Sequence, residues 1–406
     1  MIQPYFEKDD ITVYQGDLLD VLPQLPEASV DCVVTDPPYG LRFMEKGWDH
    51  DVPGPAYWQA IDPVCKPGAL LLAFGGTRTH HRLTCAIEDT GWEIRDCLMW
   101  LHGQGFPKSL DISKAIDKAA GAVREVIGAS RSIDCVERGY TKVYSTKAEN
   151  SGFGTSRTFG LGIPITAPAT PEAAKWNGWG TALKPAWEPI VLAMKPLDGT
   201  FATNAEKHGV AGLNIDASRI GTDDLVCNHA RSSEAAKSKG KYGDSCAQTT
   251  HQTVSQRLGR FPANLLLDEE AAQQLDAQTG TIASGKMKAG QQRNQSKGKG
   301  GYHGDFPETA TANGTYGDSG GASRFFYCAK ANKSERGPGN DHPTVKPLDL
   351  MKYLLTLVST PNGGVILDPF AGSGTTALAA QQLGRRCICV ELDKHNCDIT
   401  VARLEA

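Results

Sequence analysis

The last zone of the chain, from about residue 326 to 406, alternates short apolar runs with helical segments around a glycine-rich turn at residues 368–376 (DPFAGSGTT). Its predicted elements are a strand over 364–368, a helix over 375–383, a strand over 387–392 and a helix over 395–404. Such a βαβα unit packs its helices on the faces of a parallel sheet. The sequence therefore predicts an α/β fold.

The turn itself has the character of a nucleoside site. Gly372 and Gly374 allow the backbone to turn tightly and to approach a ligand closely. Glu391 ends the next strand about 20 residues on, where a carboxylate can accept hydrogen bonds from both ribose hydroxyls. Neither a Gly-Lys-Ser/Thr loop nor a full G-x-G-x-x-G is present, which disfavours a phosphate or dinucleotide site. Asp368 would repel a pyrophosphate but suits an ammonium or sulfonium.

A second motif, residues 36–39 (DPPY), follows the apolar run 30–35 (VDCVVT), which predicts a strand. Its two prolines fix the backbone and remove two amide donors. The Asp36 carboxylate and the Pro37 carbonyl remain as acceptors for the two N–H groups of an amino group, and Tyr39 offers a face for stacking a base. The structural alternative is a proline-rich strand exit with a surface Asp.

Composition divides the chain into three zones: residues 1–200, 201–325 and 326–406. In the first zone, apolar runs at 30–35, 69–74 and 190–194 predict strands buried on both faces of a parallel sheet, and 113–120 predicts a helix. The middle zone is rich in Gly, Ser, Thr, Asn, Gln and Lys. Its stretch 284–303 is basic and lacks acidic residues, which fits either a solvated loop or a surface for phosphates.

The pair of motifs resembles the amino-methylating DNA methyltransferases, the family that modifies N6 of adenine or N4 of cytosine. The resemblance covers both end zones. It implies a class I S-adenosylmethionine-dependent methyltransferase fold: a Rossmann-like, three-layer arrangement around a mostly parallel seven-stranded sheet. The catalytic motif precedes the donor motif, as in the permuted β group, so the fold is expected to be circularly permuted. Residues 1–200 would form the catalytic half, 326–406 the donor-binding half and 201–325 an inserted target-recognition region that contacts DNA.

The resemblance also assigns residues to roles. The catalytic motif is Asp36, Pro37, Pro38 and Tyr39. Two further segments look like parts of the donor site: residues 14–17 (YQGD), at the donor's adenine, and residues 342–348 (HPTVKPL), packed over the donor. The implied donor-binding residues are Asp17, Thr344, Lys346, Asp368, Phe370, Gly372, Ser373, Gly374, Thr375 and Glu391.

Simpler roles stay open for three of these residues. Asp17 could only cap the helix that follows it, and Thr344 and Lys346 could only order a loop. The implied methyl donor is S-adenosyl-L-methionine, and no metal is expected.

The expected activity is site-specific methylation of adenine N6 in double-stranded DNA, by base flipping and direct in-line transfer. The nearest alternative is N4-cytosine methylation, although that class more often has Ser in place of Asp36. More distant alternatives are a protein or RNA amino-methyltransferase, a nucleotide-binding oxidoreductase and a non-catalytic DNA-binding protein. No Pro-Cys dipeptide occurs, which argues against carbon-5 methylation through a thiolate.

Composition limits the setting and the partners. The net charge is −4, so phosphate contacts would come from a local basic patch. The 11 cysteines include no C-x-x-C, which disfavours a zinc ribbon and fits a reduced, cytoplasmic setting. No apolar signal region begins the chain, and the apolar runs are too short to span a bilayer. Double-stranded DNA is the expected partner. A homodimer, a separate restriction endonuclease, and an orphan or phage-borne role stay open.

Overall fold

The computed structural model describes residues 2–41, 51–103, 105, 109–130, 163–227, 256–283, 318–330, 335, 340, 342 and 345–406. The chain divides into two compact units, one of Met1–Gln104 with Ala186–Ala406 and one of Gly105–Pro185. These limits differ from the three compositional zones, whose functional division stays a prediction. Thr344 and the basic stretch 284–303 lie outside the described residues.

The chain forms short strands and helices in alternation. In chain order, the strands are β1 (Phe6–Lys8), β2 (Ile11–Gln15), β3 (Val30–Thr35), β4 (Cys65–Phe74), β5 (Glu93–Leu101), β6 (Val126–Ser130), β7 (Ile163–Thr166), β8 (Trp187–Met194), β9 (Ile220–Cys227), β10 (Gln256–Arg260), β11 (Leu265–Asp268), β12 (Ile282–Ala283), β13 (Ser319–Gly320), β14 (Tyr327–Ala329), β15 (Val365–Asp368) and β16 (Arg386–Glu391). The helices are α1 (Leu18–Val21), α2 (Pro55–Ile61), α3 (His80–Glu88), α4 (Ile112–Ala119), α5 (Pro171–Lys175), α6 (Phe201–His208), α7 (Glu269–Thr279), α8 (Leu348–Leu357), α9 (Thr375–Gln382) and α10 (Lys394–Glu405).

The larger unit is built on one ten-stranded sheet with the order β1-β2-β16-β15-β3-β4-β8-β5-β11-β14. The seven consecutive strands from β2 to β5 form the expected seven-stranded sheet, and β1, β11 and β14 extend its edges. Most neighbouring strands are parallel, but β8 is antiparallel to both β4 and β5. The prediction that residues 190–194 lie in a parallel arrangement was therefore wrong. An apolar run reports burial on both faces and carries no information about strand direction.

Helices cover both faces of this sheet, which gives the predicted three layers. Strand side chains alternate between two apolar cores: Val34 and Leu72 belong to one, and Val33 and Leu71 belong to the other. The first core includes side chains of α8, α9 and α10, and the second includes those of α1, α2 and α3. The predicted mostly parallel, three-layer α/β fold is confirmed.

Strands from the two ends of the chain lie side by side. β15 pairs in parallel with β3, with Leu367 opposite Val33, and β16 pairs in parallel with β2, with Ile388 opposite Thr12. The carboxyl ends of parallel neighbours meet at one edge of a sheet. This pairing therefore brings the turn after β15 next to the DPPY segment after β3.

Part of the middle zone belongs to the main sheet. β11 pairs in parallel with β5 and with β14, and Asp268 at its end caps α7 by accepting from the Ala271 amide at 2.6 Å. β9 and β10 form a separate two-stranded antiparallel sheet.

The smaller unit pairs β6 with β7 and contains α4, which Asp111 caps. The predicted helix over 113–120 is thus confirmed within one residue at each end. Over the described residues of the whole chain, no helix has the length and apolar character required to cross a membrane.

Candidate functional site

The DPPY segment leaves β3 with its acidic side chain in a set of short polar contacts. The Asp36 carboxylate accepts from the Lys346 ammonium at 2.6 Å through Oδ2 and from the Tyr39 hydroxyl at 2.8 Å through Oδ1. Pro37 is buried and Pro38 is half-buried. Each oxygen of Asp36 therefore already accepts a hydrogen bond, one from Tyr39 and the other from Lys346.

Tyr39 is held at both ends. Its hydroxyl lies 2.8 Å from Glu188 Oε2 as well as from Asp36, and its carbonyl accepts from Thr79 Oγ1 at 2.7 Å. Burial, together with the charges of Asp36 and Glu188, raises the pKa of Tyr39 well above its ordinary value. The phenol therefore stays protonated and donates.

Lys346 lies against the DPPY segment. Its ammonium is 3.3 Å from Glu188 Oε2, and it sits 5.3 Å from the Tyr39 ring centroid and 4.9 Å from that of Phe74. Burial works to lower the pKa of Lys346, but the ion pairs with Asp36 and Glu188 outweigh it and raise the pKa. The expected donor contact of Lys346 stays a prediction, since its described partners belong to the catalytic side.

Glu188 and its place in this cluster were missed by the sequence analysis. Glu188 lies near the start of β8, two residues before the predicted run 190–194. A single acid near the start of a largely buried strand is a signal that could have found it, because a carboxylate that is partly removed from water needs partners. The partners of Glu188, however, lie far away in the sequence, at Tyr39 and Lys346.

The glycine turn after β15 has the backbone that its sequence predicts. Gly372 and Gly374 have φ of +52° and +75°, in the left-handed region that favours glycine. A Cβ on Gly374 would lie 2.4 Å from Thr400 Cγ2, and one on Gly372 would lie 3.3 Å from His342 Nε2. His342, the first residue of the HPTVKPL segment, therefore sits directly at the turn.

Glu391 lies at the end of β16, as predicted, and braces this turn. Its Oε2 accepts from the Gly372 amide at 2.7 Å, and its Oε1 accepts from the Asp393 amide at 2.8 Å and from Asn396 Nδ2 at 3.3 Å. Burial raises the pKa of Glu391. An ionised carboxylate has about four acceptor sites, so Oε2 keeps capacity for a sugar hydroxyl.

Asp368 connects the two motifs. It is buried, and its Oδ1 accepts from Thr35 Oγ1 at 2.7 Å and from the Phe370 amide at 3.2 Å. Burial raises the pKa of Asp368 to about 6, although hydrogen bonds from Thr376 and Thr35 work against this. The predicted meeting of the two distant motifs is confirmed, because Thr35 directly precedes the DPPY segment.

Arg403 of α10, also missed by the sequence analysis, holds the turn from below. Its Nη1 donates to the Ser373 carbonyl at 2.5 Å and to Thr375 Oγ1 at 3.1 Å, and its Nη2 donates to the Glu335 carbonyl at 3.0 Å. Ser373 and Thr375 are buried. The signal was the position of Arg403 three residues after Thr400, on the inward face of the closing helix.

Two other predicted donor residues have structural contacts. The Phe370 ring lies 6.0 Å from that of Tyr57 and 6.3 Å from that of Trp58. Asp17 caps α1 by accepting from the Leu19 amide at 2.9 Å, which is the simpler of its two expected roles. A donor contact for Asp17 stays a prediction. Among the described residues, no group of three or more His, Cys, Asp or Glu side chains is arranged to hold a metal.

Comparison with known proteins gives a match over more than half of the chain. The family model N6_N4_Mtase, described as DNA methylase, matches residues 171–402. The matched range contains the glycine turn, Glu188, Lys346 and Glu391, but neither the DPPY segment nor Arg403.

Individual relatives match over shorter segments. The type II methyltransferase M2.DpnII of Streptococcus pneumoniae is 47% identical over 74 residues, which is 18% of this chain and 27% of the relative. The type II methyltransferase M.ScaI of Streptomyces caespitosus is 42% identical over 78 residues, which is 19% of this chain and 24% of the relative. The matched segments thus span about a quarter of these relatives.

Among solved structures, the chain is similar to PvuII DNA methyltransferase (cytosine-N4-specific), with 13% identity, coverage of 99% of this chain and 89% of that one, and a TM-score of 0.42. It is also similar to TTHA0409, a DNA modification methylase of Thermus thermophilus, with 16% identity, coverage of 97% and 93%, and a TM-score of 0.39. The fold is assigned from the strand order described above.

Proposed function

The chain belongs to the DNA methylase family of N6-adenine and N4-cytosine methyltransferases, and from that premise we propose that it methylates N6 of adenine in double-stranded DNA. One observation carries the proposal: Thr35 bonds to Asp368 at 2.7 Å, so the acceptor-rich DPPY segment and the nucleoside-type turn share one edge of the sheet. A methyl transfer to an amino group needs these two functions side by side.

The residues of the turn fit S-adenosyl-L-methionine as the methyl donor. Gly372 and Gly374 have the left-handed backbone of a tight turn and carry no side chain that would obstruct a ligand, and Glu391 keeps acceptor capacity for the ribose of the donor. Asp368, with a pKa of about 6, is ionised at pH 7 and favours a cationic ligand. The donor supplies a methyl group that is already activated on a sulfonium. The protein therefore has to contribute position and charge.

The DPPY segment would receive the base. The lone pair of an aromatic amine is delocalised into the ring, so the nitrogen is a weak nucleophile. Hydrogen bonds from its two N–H groups to the Asp36 carboxylate and the Pro37 carbonyl draw it toward tetrahedral geometry and stabilise the positive charge that develops on it. The base must first leave the stack, at a cost of about a few kcal/mol. Stacking on Tyr39 would offset part of this cost, on the ring face away from Lys346.

Two finer assignments belong to the same proposal. Adenine is favoured over cytosine because residue 36 is Asp, where N4-cytosine enzymes more often have Ser. The circularly permuted order is supported by β15 and β16, which come last in the chain yet lie between β2 and β3 in the sheet.

The test uses the full chain, DNA and donor carrying a labelled methyl group. Treated DNA is digested to nucleosides, which mass analysis then identifies, while calorimetry measures donor binding. We expect N6-methyladenine from the wild type, and no product from Asp36→Ala although it binds the donor normally. Asp20→Ala, which removes an exposed carboxylate from α1, is the matched control and should keep wild-type activity.

Each other result has a definite reading. N4-methylcytosine would replace the adenine assignment with the cytosine alternative. Normal turnover by Asp36→Ala would remove Asp36 from the mechanism. A wild type that binds the donor but modifies no DNA, over DNA of varied sequence, would refute the proposed substrate.

A further inference from the structure

Two hydrogen-bond donors at the site are shared by the same two carboxylates. The Tyr39 hydroxyl lies 2.8 Å from Asp36 Oδ1 and 2.8 Å from Glu188 Oε2. The Lys346 ammonium lies 2.6 Å from Asp36 Oδ2 and 3.3 Å from Glu188 Oε2. Asp36 is in the DPPY segment, whereas Glu188 comes from the antiparallel strand β8.

The proton count makes this sharing consequential. A phenol has one proton, so Tyr39 donates to one carboxylate at a time, and the two distances are equal. An ammonium has three protons, so Lys346 can bond both carboxylates together and can lean toward either. Both donors can therefore pass from Asp36 to Glu188 by small movements.

The proposed reaction favours such a shift. Asp36 must accept an N–H from the base while its two oxygens already accept from Tyr39 and Lys346. Each oxygen has a further acceptor site, but a bond to Tyr39 or Lys346 holds the carboxylate in place and draws charge away from the amino group. The Lys346 side chain is only 8% exposed, and a buried donor that loses its acceptor without replacement is costly, above all when it is charged. A second carboxylate within reach removes most of that cost.

We propose that Glu188 is a positioning residue that takes over the Tyr39 hydroxyl and the Lys346 ammonium when Asp36 turns to the amino group of the base. This inference rests on the proposed function. Glu188 itself does not contact the reacting atoms. It keeps both buried donors satisfied, so Asp36 can exchange partners without breaking up the cluster.

The local charge agrees with this role. Asp36 and Glu188 together carry two negative charges against the single positive charge of Lys346, and the surplus favours the positive charge that develops on the amino nitrogen. His102 Nε2 also faces this group, 4.0 Å from Glu188 Oε1. The contacts of Glu188 with Tyr39 and Lys346 are made by Oε2, whereas Oε1 faces His102.

The first test measures stability and needs no activity. Thermal midpoints are compared for wild type, Asp36→Asn, Glu188→Gln and the double variant, because these isosteric changes remove charge while keeping shape. Each single variant leaves Lys346 one carboxylate, so we expect small shifts. The double variant leaves a buried ammonium without a counter-charge, and its midpoint should fall by more than the sum of the single shifts. Adding Lys346→Met to the double variant should recover stability.

The second test measures methyl transfer. In Glu188→Gln we expect kcat to fall by about tenfold or more while the KM for the donor and its calorimetric Kd stay at wild-type values. Glu188→Asp, which keeps the charge, should recover part of the loss. Glu93→Gln, which removes an exposed carboxylate from the neighbouring strand β5, is the control and should change nothing.

The outcomes distinguish a failure of the donor sharing from a failure of the proposed function. Additive midpoint shifts, or a Lys346→Met change that restores nothing, would overturn the sharing of donors by Asp36 and Glu188. An unchanged kcat in Glu188→Gln would overturn its role in the reaction, and so would a loss of activity confined to a higher KM and Kd for the donor. A wild type that transfers no methyl group to DNA refutes the proposed function instead, and the stability cycle still decides whether the two carboxylates replace one another.

Discussion

The hydroxyl of Thr35 donates a 2.7 Å hydrogen bond to Oδ1 of Asp368, across 333 positions of the sequence and inside the protein. Thr35 is the last residue of β3 and Asp368 is the last of β15, and these two strands are parallel neighbours. The bond therefore fixes the DPPY segment relative to the glycine turn. Catalytic geometry of this kind tolerates little displacement, so the contact should matter for both stability and activity.

Thr35→Val tests this contact, because valine has nearly the shape of threonine without the hydroxyl. Asp368 would lose a hydrogen bond in a buried place, and we expect the free energy of unfolding to fall by about 1–3 kcal/mol at pH 7. Urea unfolding measures this change. Thr35→Ser keeps the hydroxyl, so its free energy of unfolding should fall by clearly less than that of Thr35→Val. Equal losses in Val and Ser would show that packing at this position, and not the bond, is responsible.

The raised pKa of Asp368 predicts a pH-dependent stability. In the folded protein its pKa is about 6, above the ordinary value of 3.8, so the folded state holds the proton more tightly than the unfolded state. Stability should therefore fall as pH rises from about 4 to about 6, by on the order of 3 kcal/mol, and then stay level.

Asp368→Asn removes that titration while keeping an oxygen acceptor for Thr35 and Phe370. Thermal midpoints of the variant and the wild type should lie closest near pH 4. As the pH rises to about 6, the midpoint of the variant should increase relative to that of the wild type. Because other groups titrate in both proteins, the difference between the two curves isolates Asp368. Curves that run parallel from pH 4 to 7 would contradict the assigned pKa.

The hydrophobic pattern of the sequence predicted which strands are buried and where they end, but it did not predict the partners of the side chains in the site. The apolar run 30–35 is β3 to the residue, and Glu391 ends β16, because alternation and turn residues are local signals. The predicted direction of residues 190–194 was wrong, because burial on both faces of a sheet does not depend on the direction of a strand. Lys346 was expected at the donor, whereas its described bonds go to Asp36, which is 310 positions away. Local sequence does not encode such partners.

Gly374 should tolerate a side chain poorly for two separable reasons. Its φ of +75° disfavours any L-residue by about 1–2 kcal/mol, and a Cβ there would lie 2.4 Å from Thr400 Cγ2. Gly384 has a φ of +61° and open space around its Cβ position, so Gly384→Ala measures the backbone cost alone. We expect Gly374→Ala to destabilise clearly more and to weaken donor binding, with Gly384→Ala leaving that binding unchanged. Similar losses in both would mean that Thr400 yields easily.

Arg403 should support donor binding although it lies beneath the turn. Its guanidinium holds the Ser373 carbonyl and Thr375 Oγ1 together with the Glu335 carbonyl, and it is buried. Arg403→Met keeps much of the packing but removes these donors, so we expect donor affinity to fall by about tenfold, which corresponds to about 1.4 kcal/mol.

Arg403→Lys should have a donor affinity between those of Arg403→Met and the wild type, because a single ammonium cannot reproduce the planar set of donors of a guanidinium. Calorimetric titration with the donor measures both variants, and Arg386→Met, at an exposed arginine of β16, controls for the loss of a positive charge. Wild-type donor affinity in Arg403→Met, with a lowered thermal midpoint, would confine Arg403 to folding. Loss of affinity in the Arg386 control as well would point to net charge, and would argue against any shaping of the turn by Arg403.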